Sequence, residues 1–367
     1  MKRFLSLFVV LFLILCNTKT YAVSVNAKSA VLIDALSGKI IYSLNEKIKL
    51  SMASTTKIMT ALILCEQDDF EKEITVTKEM VNVEGTSMGL TVGTKVSYNA
   101  LLYGMLLSSG NDAANATAIA IGGNITDFVT IMNKKAKELG LNNTHFDTPS
   151  GLDGDTHYTT AYDLALLARY ALNNERFYIA AKTQSITLSY CGVTHTLYNH
   201  NKLLSTFDSA IGVKTGFTKK SGRCLVSAAE RDGGRVIAVT LNDPDDWNDH
   251  KELLSIGLKK LGDEKQTFQQ KTYEIQVNGG KENSVTAKST AVSFRTYNEK
   301  VVKKEYIMPF VSAPIKKGEE LGYIEYYCGK SICAKEILRA ENDVLAIEPA
   351  SKMQIIILNF KRMLKLI

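Results

Sequence analysis

The sequence predicts an α+β protein with two folded domains, followed by a short helical tail. Short apolar strands stand at both ends of residues 23–262, and the middle of that stretch carries the apolar spacing of helices. Residues 267–349 contain only short strands and turns, which is typical of a small β-sandwich. A chain of 367 residues suits two domains, and its 45% hydrophobic and 22% charged residues exclude a disordered or fibrous protein.

The formal net charge of +6 is concentrated at the two ends of the chain. Residues 1–22 carry +3 and residues 350–367 carry +4, which leaves −1 for the body between them. A protein that binds nucleic acid needs a basic surface on its folded body. We therefore expect no nucleic-acid partner.

Residues 1–22 are predicted to be a signal peptide. Lys2 and Arg3 precede an unbroken apolar run of 13 residues, which is short for a helix that must cross a bilayer. Small residues before a cleavage point after Ala22 complete the pattern, so we expect an exported protein. An uncleaved membrane anchor is the alternative.

Export would allow disulfide bonds. Cys328 and Cys333 flank a predicted hairpin tip and could form one. Five cysteines follow the signal segment, and an odd number without metal-ligand spacing predicts neither a disulfide scaffold nor a zinc site. No motif calls for a cofactor.

The first domain, residues 23–262, begins with a predicted hairpin of strands at 30–34 and 39–42. From Ser54 to about residue 65 the chain is apolar on nearly all sides of a helix, which predicts a buried central helix. Further helices are predicted at 98–122, 126–139, 160–172 and 250–261, with strands at 193–197, 210–215, 224–230 and 235–241. Trp247, the sole tryptophan, is expected to pack between core elements.

The second domain is predicted to be all β and carries no group of residues suited to chemistry. Its predicted strands lie at 272–277, 291–295, 301–306, 320–327 and 334–339. In the tail, residues 350–367, apolar side chains recur at helical spacing and basic side chains lie off that stripe. This pattern indicates an amphipathic helix in the plane of a membrane. A helix docked on the β domain is the alternative.

The S-x-x-K sequence of Ser54 and Lys57 is the only one in the chain. Residues three apart share a helical face, so the Lys57 amine can reach the Ser54 hydroxyl. Removal from solvent lowers the pKa of an amine and makes it a usable base near neutral pH. The alternative is a helix-capping serine with a lysine that extends to solvent.

Two other short sequences have similar potential. Ser109 and Asn111 form an S-x-N in a predicted break between helices, where a hydroxyl and an amide could face one site. Lys214, Thr215 and Gly216 form a K-T-G on a predicted strand. The lysine and threonine offer a cation and a donor to a carboxylate, and the glycine allows close backbone approach. A capping loop and a surface turn are the alternatives.

In order and spacing, the three motifs resemble those of the penicillin-recognising serine acyl-enzymes. More narrowly, the chain resembles the low-molecular-mass penicillin-binding proteins that are serine-type D-alanyl-D-alanine carboxypeptidases. The similarity extends through residues 34–38, 52–60, 109–115, 146–158, 199–204 and 212–217, and through the β domain and the tail.

This resemblance implies a catalytic domain of the DD-peptidase/β-lactamase-like fold. It implies that Ser54 is the nucleophile and Lys57 its base, and that Ser109 relays a proton while Asn111 holds a substrate carbonyl. It assigns the substrate carboxylate and the oxyanion hole to Lys214, Thr215, Gly216 and Phe217, with the backbone N–H of Ser54.

The implied substrate is the pentapeptide stem of peptidoglycan, which would lose its terminal D-alanine through an acyl-enzyme. The resemblance also implies acylation and inhibition by β-lactams, and attachment of the tail to the outer face of the cytoplasmic membrane.

Two other functions remain open. A β-lactamase of the same fold would carry an E-x-x-L-N sequence, and residues 138–142 match it, but we expect Gly140 to end a helix there as a C-cap. An inactive wall-binding scaffold is the second alternative, although every motif side chain is present. His157 could line the cleft or be structural.

Overall fold

The computed structural model describes residues 24–262, 265–347 and 352–364. The predicted signal segment, residues 1–22, lies outside these ranges, and so do the two ends of the predicted tail. The strands of the first domain are β1 (Ser29–Asp34), β2 (Ile40–Leu44), β3 (Glu73–Thr75), β4 (Lys95–Ser97), β5 (Ser185–Tyr190), β6 (Val193–Tyr198), β7 (Ala210–Thr218), β8 (Gly222–Arg231) and β9 (Gly234–Leu241).

Five of these strands form the main antiparallel sheet, in the order β2-β1-β9-β8-β7. The chain therefore starts in this sheet, leaves it for the helical region and returns to complete it, which is the predicted α+β arrangement. Because β7 is an edge strand, one side of the K-T-G sequence is free to face a cleft.

The helices of the first domain are α1 (Lys57–Cys65), α2 (Lys78–Val81), α3 (Tyr98–Leu106), α4 (Asn111–Gly122), α5 (Ile125–Glu138), α6 (Ala161–Ala171), α7 (Glu175–Lys182), α8 (Leu203–Thr206) and α9 (Asp246–Gly262). All nine residues of α1 are buried, as predicted for a helix that is apolar on every side. A short 3₁₀ turn, Ala53–Thr56, precedes α1 and holds the candidate nucleophile.

The predicted strands and helices are present, except that the helix predicted at 98–122 is divided into α3 and α4. The structure adds β3, β4 and β5, and β5 pairs with β6, the strand that was predicted at 193–197. The hairpin of β5 and β6 and the short pair of β3 and β4 each stand as two-stranded sheets. Their strands alternate between half-buried and exposed positions or have only three residues, so they carry little apolar signal. Helix α9 begins four residues before the predicted start, at Asp246.

The second domain contains β10 (Lys265–Phe268), β11 (Thr272–Asn278), β12 (Ser284–Lys288), β13 (Val292–Arg295), β14 (Val301–Ile307), β15 (Phe310–Ser312), β16 (Glu320–Cys328) and β17 (Ser331–Ala340). Six strands form one sheet in the order β14-β16-β17-β12-β11-β15, and β10 pairs with β13. The rings of Phe268, Phe294 and Tyr326 pack together where the two sheets meet. Cys328 and Cys333 are disulfide-bonded at the hairpin tip, a pairing that the sequence left open.

The tail forms a helix, α10 (Lys352–Met363). Within its described side chains the apolar stripe is exposed, including Ile356 at 63% and Phe360 at 59%. No helix within the described ranges has both the length and the apolar character to cross a bilayer.

The carboxylate of Asp34, at the end of β1, joins the two domains. It is fully buried and accepts hydrogen bonds from Ser37 Oγ (2.6 Å), Thr296 Oγ1 (3.0 Å) and the backbone N–H of Leu36 (2.9 Å) and Tyr297 (3.1 Å). Ser37 belongs to the first domain and Tyr297 to the second. The Asp34 side chain therefore holds the β1–β2 turn against the β domain.

Replacing Asp34 by asparagine is expected to lower the free energy of unfolding by about 1–3 kcal/mol, because an amide turns an N–H toward donors that need an acceptor. Urea unfolding would measure the change. The matched control is Lys39→Gln, which removes a partly exposed ion pair with Glu299 in the same interface and should cost less than about 1 kcal/mol. If Asp34→Asn were as stable as the unaltered protein, the Asp34 carboxylate would not be what stabilises the contact between the domains.

Candidate active site

A cleft of about 440 Å³ opens beside β7, and it collects residues from all three motifs. Of the eight predicted site residues, six line it: Ser54, Ser109, Asn111, Thr215, Gly216 and Phe217. The other two, Lys57 and Lys214, are buried behind it, at 0% and 1% exposure. The structure thus places together residues that are up to 163 positions apart in the sequence, from Ser54 to Phe217.

Ser54 sits in the 3₁₀ turn that leads into α1, and its side chain is half-buried at the cleft floor. The turn starts from a left-handed residue, Ala53, with φ of +47°. The hydroxyls of Thr55 and Thr56 donate to the carbonyls of Met52 (2.6 Å) and Ala53 (2.8 Å). The neighbouring threonines therefore fix the turn that presents the Ser54 hydroxyl.

The Lys57 amine lies 3.0 Å from Ser54 Oγ, as the i,i+3 spacing predicts. It also donates to Asn111 Oδ1 (2.6 Å) and to the Ser150 carbonyl (2.7 Å). Burial holds the pKa of Lys57 well below its ordinary value, and the neighbouring Lys214 lowers it further. A short contact with a hydroxyl and a lowered pKa are the two properties that a lysine needs in order to act as a base.

The S-x-N turn is held against a neighbouring loop. Ser109 adopts a left-handed conformation (φ +57°), and its carbonyl accepts a hydrogen bond from Thr86 Oγ1 at 2.6 Å. Asn111 Nδ2 donates to the Glu84 carbonyl at 2.6 Å, which orients Oδ1 toward Lys57. One N–H of the Asn111 amide is used in this way, and the second is available to a ligand.

Asp112, directly after the motif, is a supporting residue that the sequence analysis did not single out. Its buried carboxylate accepts hydrogen bonds from Ser87 Oγ (2.6 Å) and from the backbone N–H of Met88 (2.9 Å), Gly89 (3.1 Å) and Leu90 (3.1 Å). These bonds fix the loop that forms one wall of the cleft. The sequence did contain one signal for this supporting role, an acidic residue directly after the S-x-N motif.

The K-T-G sequence lies on β7, opposite the nucleophile. Burial lowers the pKa of Lys214 to about 7, and its amine donates to the Thr215 carbonyl at 2.9 Å. A Cβ at Gly216 would lie 3.1 Å from both the Met52 carbonyl oxygen and the Ser54 backbone nitrogen. Glycine is therefore needed here for the strand to approach the nucleophile turn, as the motif predicted.

His157 is a positioning residue and does not line the cleft. It is 3% exposed, and its Nδ1 accepts the Asp147 N–H at 2.9 Å, so Nε2 carries the proton and donates to Thr56 Oγ1 at 2.7 Å. Burial lowers the pKa of His157 to about 4, so the ring is neutral at ordinary pH. The structure thus favours the structural role of the two that the sequence left open.

One end of the cleft is formed by side chains that the sequence analysis missed or placed elsewhere. Trp247 is half-buried and lines the cleft, so its predicted place between core elements is wrong in part: one side packs on the core and the other faces the cleft. His200, Lys202 and Arg223 line the cleft beside it. Arg223 and Trp247 lie outside every motif and gave no signal, whereas His200 and Lys202 lie in the similar stretch at 199–204 but were given no role.

The E-x-x-L-N sequence at 138–142 has no place in the site. Helix α5 ends at Glu138, and Gly140 follows with φ of +74°, which confirms the predicted helix end. The Glu138 side chain is 50% exposed and lies near Lys134 (4.0 Å) and Lys135 (3.8 Å) on the surface of the helix. It does not line the cleft.

The described residues contain no group of three or more His, Cys, Asp or Glu side chains that could hold a metal ion. What the cleft offers is a serine hydroxyl with a desolvated amine beside it, on a sheet-and-helix fold. These features define a serine hydrolase that works through an acyl-enzyme.

The chain belongs to the D-alanyl-D-alanine carboxypeptidase family of serine peptidases, whose model matches residues 16–245. Residues 262–346 match the model of the penicillin-binding protein 5 C-terminal domain. The chain is therefore a hydrolase of the serine-type carboxypeptidase class, and the predicted fold and family are confirmed.

Individual proteins show the same relationship. A D-alanyl-D-alanine carboxypeptidase (DacF) of Bacillus subtilis is 32% identical over 348 residues, which covers 91% of this chain and 86% of that protein. The structure of a D-alanyl-D-alanine carboxypeptidase (DacD) from Francisella tularensis is similar with a TM-score of 0.62 and 27% identity, over 88% of this chain and 95% of that one. A mutant of the Streptomyces K15 DD-transpeptidase is similar over 64% of this chain and 99% of its own, with a TM-score of 0.61 and 33% identity.

Proposed function

We propose that this protein removes the terminal D-alanine from peptidoglycan stem peptides that end in D-Ala-D-Ala, with Ser54 as the nucleophile. The observation that carries the proposal is the 3.0 Å contact between the Lys57 amine and Ser54 Oγ at the floor of the cleft. A buried lysine amine in contact with a serine hydroxyl can act as a general base that activates the serine as a nucleophile.

Acylation begins when unprotonated Lys57 takes the proton of the Ser54 hydroxyl and the oxygen attacks the carbonyl of the penultimate D-alanine. The backbone N–H groups of Ser54 and Phe217 would stabilise the oxyanion, since Gly216 brings β7 against the nucleophile turn. Ser109 donates its hydroxyl proton to the nitrogen of the leaving D-alanine and takes in its place the proton that Lys57 received from Ser54, so that Lys57 is neutral again. The terminal D-alanine departs, and Ser54 is left as an ester of the shortened stem.

Asn111 and β7 hold the substrate during this step. The free N–H of the Asn111 amide binds a substrate carbonyl, while Lys214 and the Thr215 hydroxyl bind the terminal carboxylate. Water then hydrolyses the ester, with Lys57 again accepting the proton, and Ser54 is regenerated. A β-lactam would acylate Ser54 in the same way, and the resulting ester would be hydrolysed slowly.

To test this proposal, the protein is incubated with a peptide that ends in D-Ala-D-Ala, and the free D-alanine is measured. In a parallel assay the protein is labelled with a fluorescent penicillin. We expect D-alanine release together with a long-lived covalent label. Rapid loss of the label with little D-alanine release would identify a β-lactamase, which the surface position of Glu138 disfavours. No label at all would identify an inactive scaffold.

We also propose that the protein is exported by residues 1–22 and held at the outer face of the cytoplasmic membrane by its tail. The exposed apolar stripe of α10, with Lys361 exposed beside Phe360, supports an in-plane helix that binds acidic lipid. It favours this interpretation over a helix docked on the β domain, since docking would cover the stripe.

Deleting residues 350–367 is expected to release an active enzyme from membranes, because the catalytic cleft is built entirely by the first domain. Sedimentation with anionic vesicles, followed by a penicillin-labelling assay of the supernatant, measures both properties. The full-length variant Phe360→Asp, which places a charge on the exposed stripe, should weaken binding in the same direction. A truncated protein that still sediments with vesicles would contradict the anchor.

A further inference from the structure

The hairpin of β5 and β6 contributes no residue to the lining of the cleft, and the proposed reaction does not use it. It approaches the cleft through the loop at residues 84–90, called the wall loop here because Gly85 and Thr86 line the cleft. At the end of β5, the Tyr190 hydroxyl donates a hydrogen bond to the Met88 carbonyl of this loop at 2.7 Å. The hairpin is therefore joined directly to one wall of the site.

The Tyr190 side chain is suited to a fixed contact. It is only 4% exposed, and its ring stacks on that of His195 with the ring centres 4.2 Å apart. Burial raises the pKa of Tyr190 to about 12, so the hydroxyl keeps the proton that it donates throughout the neutral range. Because the contact is buried, removal of the hydroxyl would leave the Met88 carbonyl without this donor.

Met88 is also in contact with the S-x-N turn. Its backbone N–H donates to the carboxylate of Asp112, the residue that follows the motif, at 2.9 Å. A Cβ at Gly110, the middle residue of the motif, would lie 3.0 Å from the Met88 backbone nitrogen. The wall loop thus packs directly on the backbone of the turn, and a displacement of Met88 would displace the turn as well.

Thr86 binds the S-x-N turn on both sides of its middle residue. Its hydroxyl donates to the Ser109 carbonyl at 2.6 Å, and its own carbonyl accepts the backbone N–H of Asn111 at 2.7 Å. The Tyr190 hydroxyl holds the same loop two residues further on, at Met88. The place of the Ser109 hydroxyl in the cleft therefore depends on how firmly the wall loop is held.

We propose that Tyr190 is a positioning residue for the reaction: through Met88 and the wall loop, it holds the S-x-N turn where the Ser109 hydroxyl can protonate the leaving nitrogen. This inference rests on the proposed function, in which Ser109 donates that proton. It gives the β5–β6 hairpin, which lies outside the cleft, a part in setting the rate of acylation.

The test compares two substrates that differ only in the leaving atom: an acyl-D-Ala-D-Ala peptide and its thioester analogue, in which sulfur replaces the nitrogen of the terminal residue. With the peptide, the bond from Ser54 Oγ to the carbonyl carbon forms, the C–N bond breaks, and the nitrogen takes a proton from Ser109. With the thioester, the C–S bond breaks and the sulfur leaves with the electron pair as a thiolate. A thiolate needs no proton at the moment of departure, because the pKa of a thiol is far below that of the amide nitrogen it replaces.

Tyr190→Phe keeps the stacked ring and removes only the hydroxyl. Its kcat/KM for the peptide should fall by roughly 5- to 50-fold, because a displaced proton donor loses much of its effect. For the thioester, kcat/KM should fall by less than about threefold. The ratio of the two values does not depend on how much of the variant is folded, so a loss of stability alone cannot produce this result. In a Ser109→Ala background, Tyr190→Phe should change the ratio no further, because the donor that it positions is absent.

Tyr198→Phe is the matched control, since it removes a hydroxyl from a side chain that is 66% exposed on the other strand of the same hairpin. It should leave kcat/KM unchanged for both substrates. An equal fall for both substrates in Tyr190→Phe would show a structural role and overturn the proposal, and so would an unaltered kcat/KM for the peptide. If the unaltered protein released no D-alanine and took no penicillin label, the proposed function itself would have failed.

Discussion

Ser54→Ala is expected to abolish covalent labelling by penicillin and to lower D-alanine release by on the order of 10⁴-fold or more. The reason is that the hydroxyls next to Ser54 in the turn cannot replace it: Thr55 and Thr56 are fully buried, and they donate to the Met52 and Ala53 carbonyls. Intact mass spectrometry after incubation with penicillin would show the adduct in the unaltered protein and none in the variant.

Stability is the control for this variant. Ser54 is half-buried, and the turn around it is held by the threonine hydroxyls, so the alanine variant should unfold at nearly the same urea concentration as the unaltered protein. Ser205→Ala, in an exposed helical turn, should label normally. An adduct of the same mass on Ser54→Ala would place the nucleophile elsewhere.

A structural feature could be predicted from the sequence where it depends on residues that are close together in the chain. The contact of Ser54 with Lys57 follows from one helical turn, and the buried character of α1 follows from its composition, so both could be predicted. The K-T-G strand could be predicted as well, and so could the need for glycine in it. For the turn, the helix and the strand the signal lies within the element itself. Gly216 was indicated by its motif, although the neighbours that require a glycine, Met52 and Ser54, are far away in the sequence.

Features that depend on long-range packing gave no such signal. Arg223 enters the cleft because β8 pairs with β7 in one register, and Trp247 enters because α9 begins earlier than its apolar pattern predicts. Asp34 resembles an ordinary turn residue in the sequence, and its contacts with Thr296 and Tyr297 require the β domain to be in place. The meeting of the three motifs at one cleft was therefore predictable, whereas the other walls of the cleft and the domain contact were not.

The pKa values of the two lysines at the cleft are lowered mainly by burial, and less by neighbouring charges. Two lysines lie behind one site, and desolvation is the largest cause of the lowered pKa of each. A lysine is ordinarily protonated at neutral pH and cannot accept a proton. In the proposed mechanism, Lys57 acts as a base because the fold excludes water from it, and Lys214 lowers the pKa of Lys57 further.

Lys57→Arg is expected to lower the rate of acylation by on the order of 10²–10⁴-fold, although it keeps a hydrogen-bonding cation in place. In the unaltered protein the rate should rise with pH while the Lys57 amine loses its proton, and then level off, with the midpoint below the ordinary range of lysine because its pKa is lowered. A guanidinium stays protonated throughout that range. The variant should therefore be slow at every pH and lack this rise, as stopped-flow measurements with a fluorescent penicillin would show.

A second substitution separates this chemical role from packing. Lys57→Met keeps most of the buried volume and removes the base, so it should be as slow as Lys57→Arg while unfolding no more easily than that variant. Lys220→Arg is the matched control, because Lys220 begins a K-S-G sequence at 220–222 that is similar to the K-T-G motif, is exposed and donates to the Gly154 carbonyl. It should acylate at the unaltered rate with the same pH profile. If Lys57→Arg kept the rise with pH, the proton acceptor would be another group, and the 3.0 Å contact with Ser54 would have only a structural role.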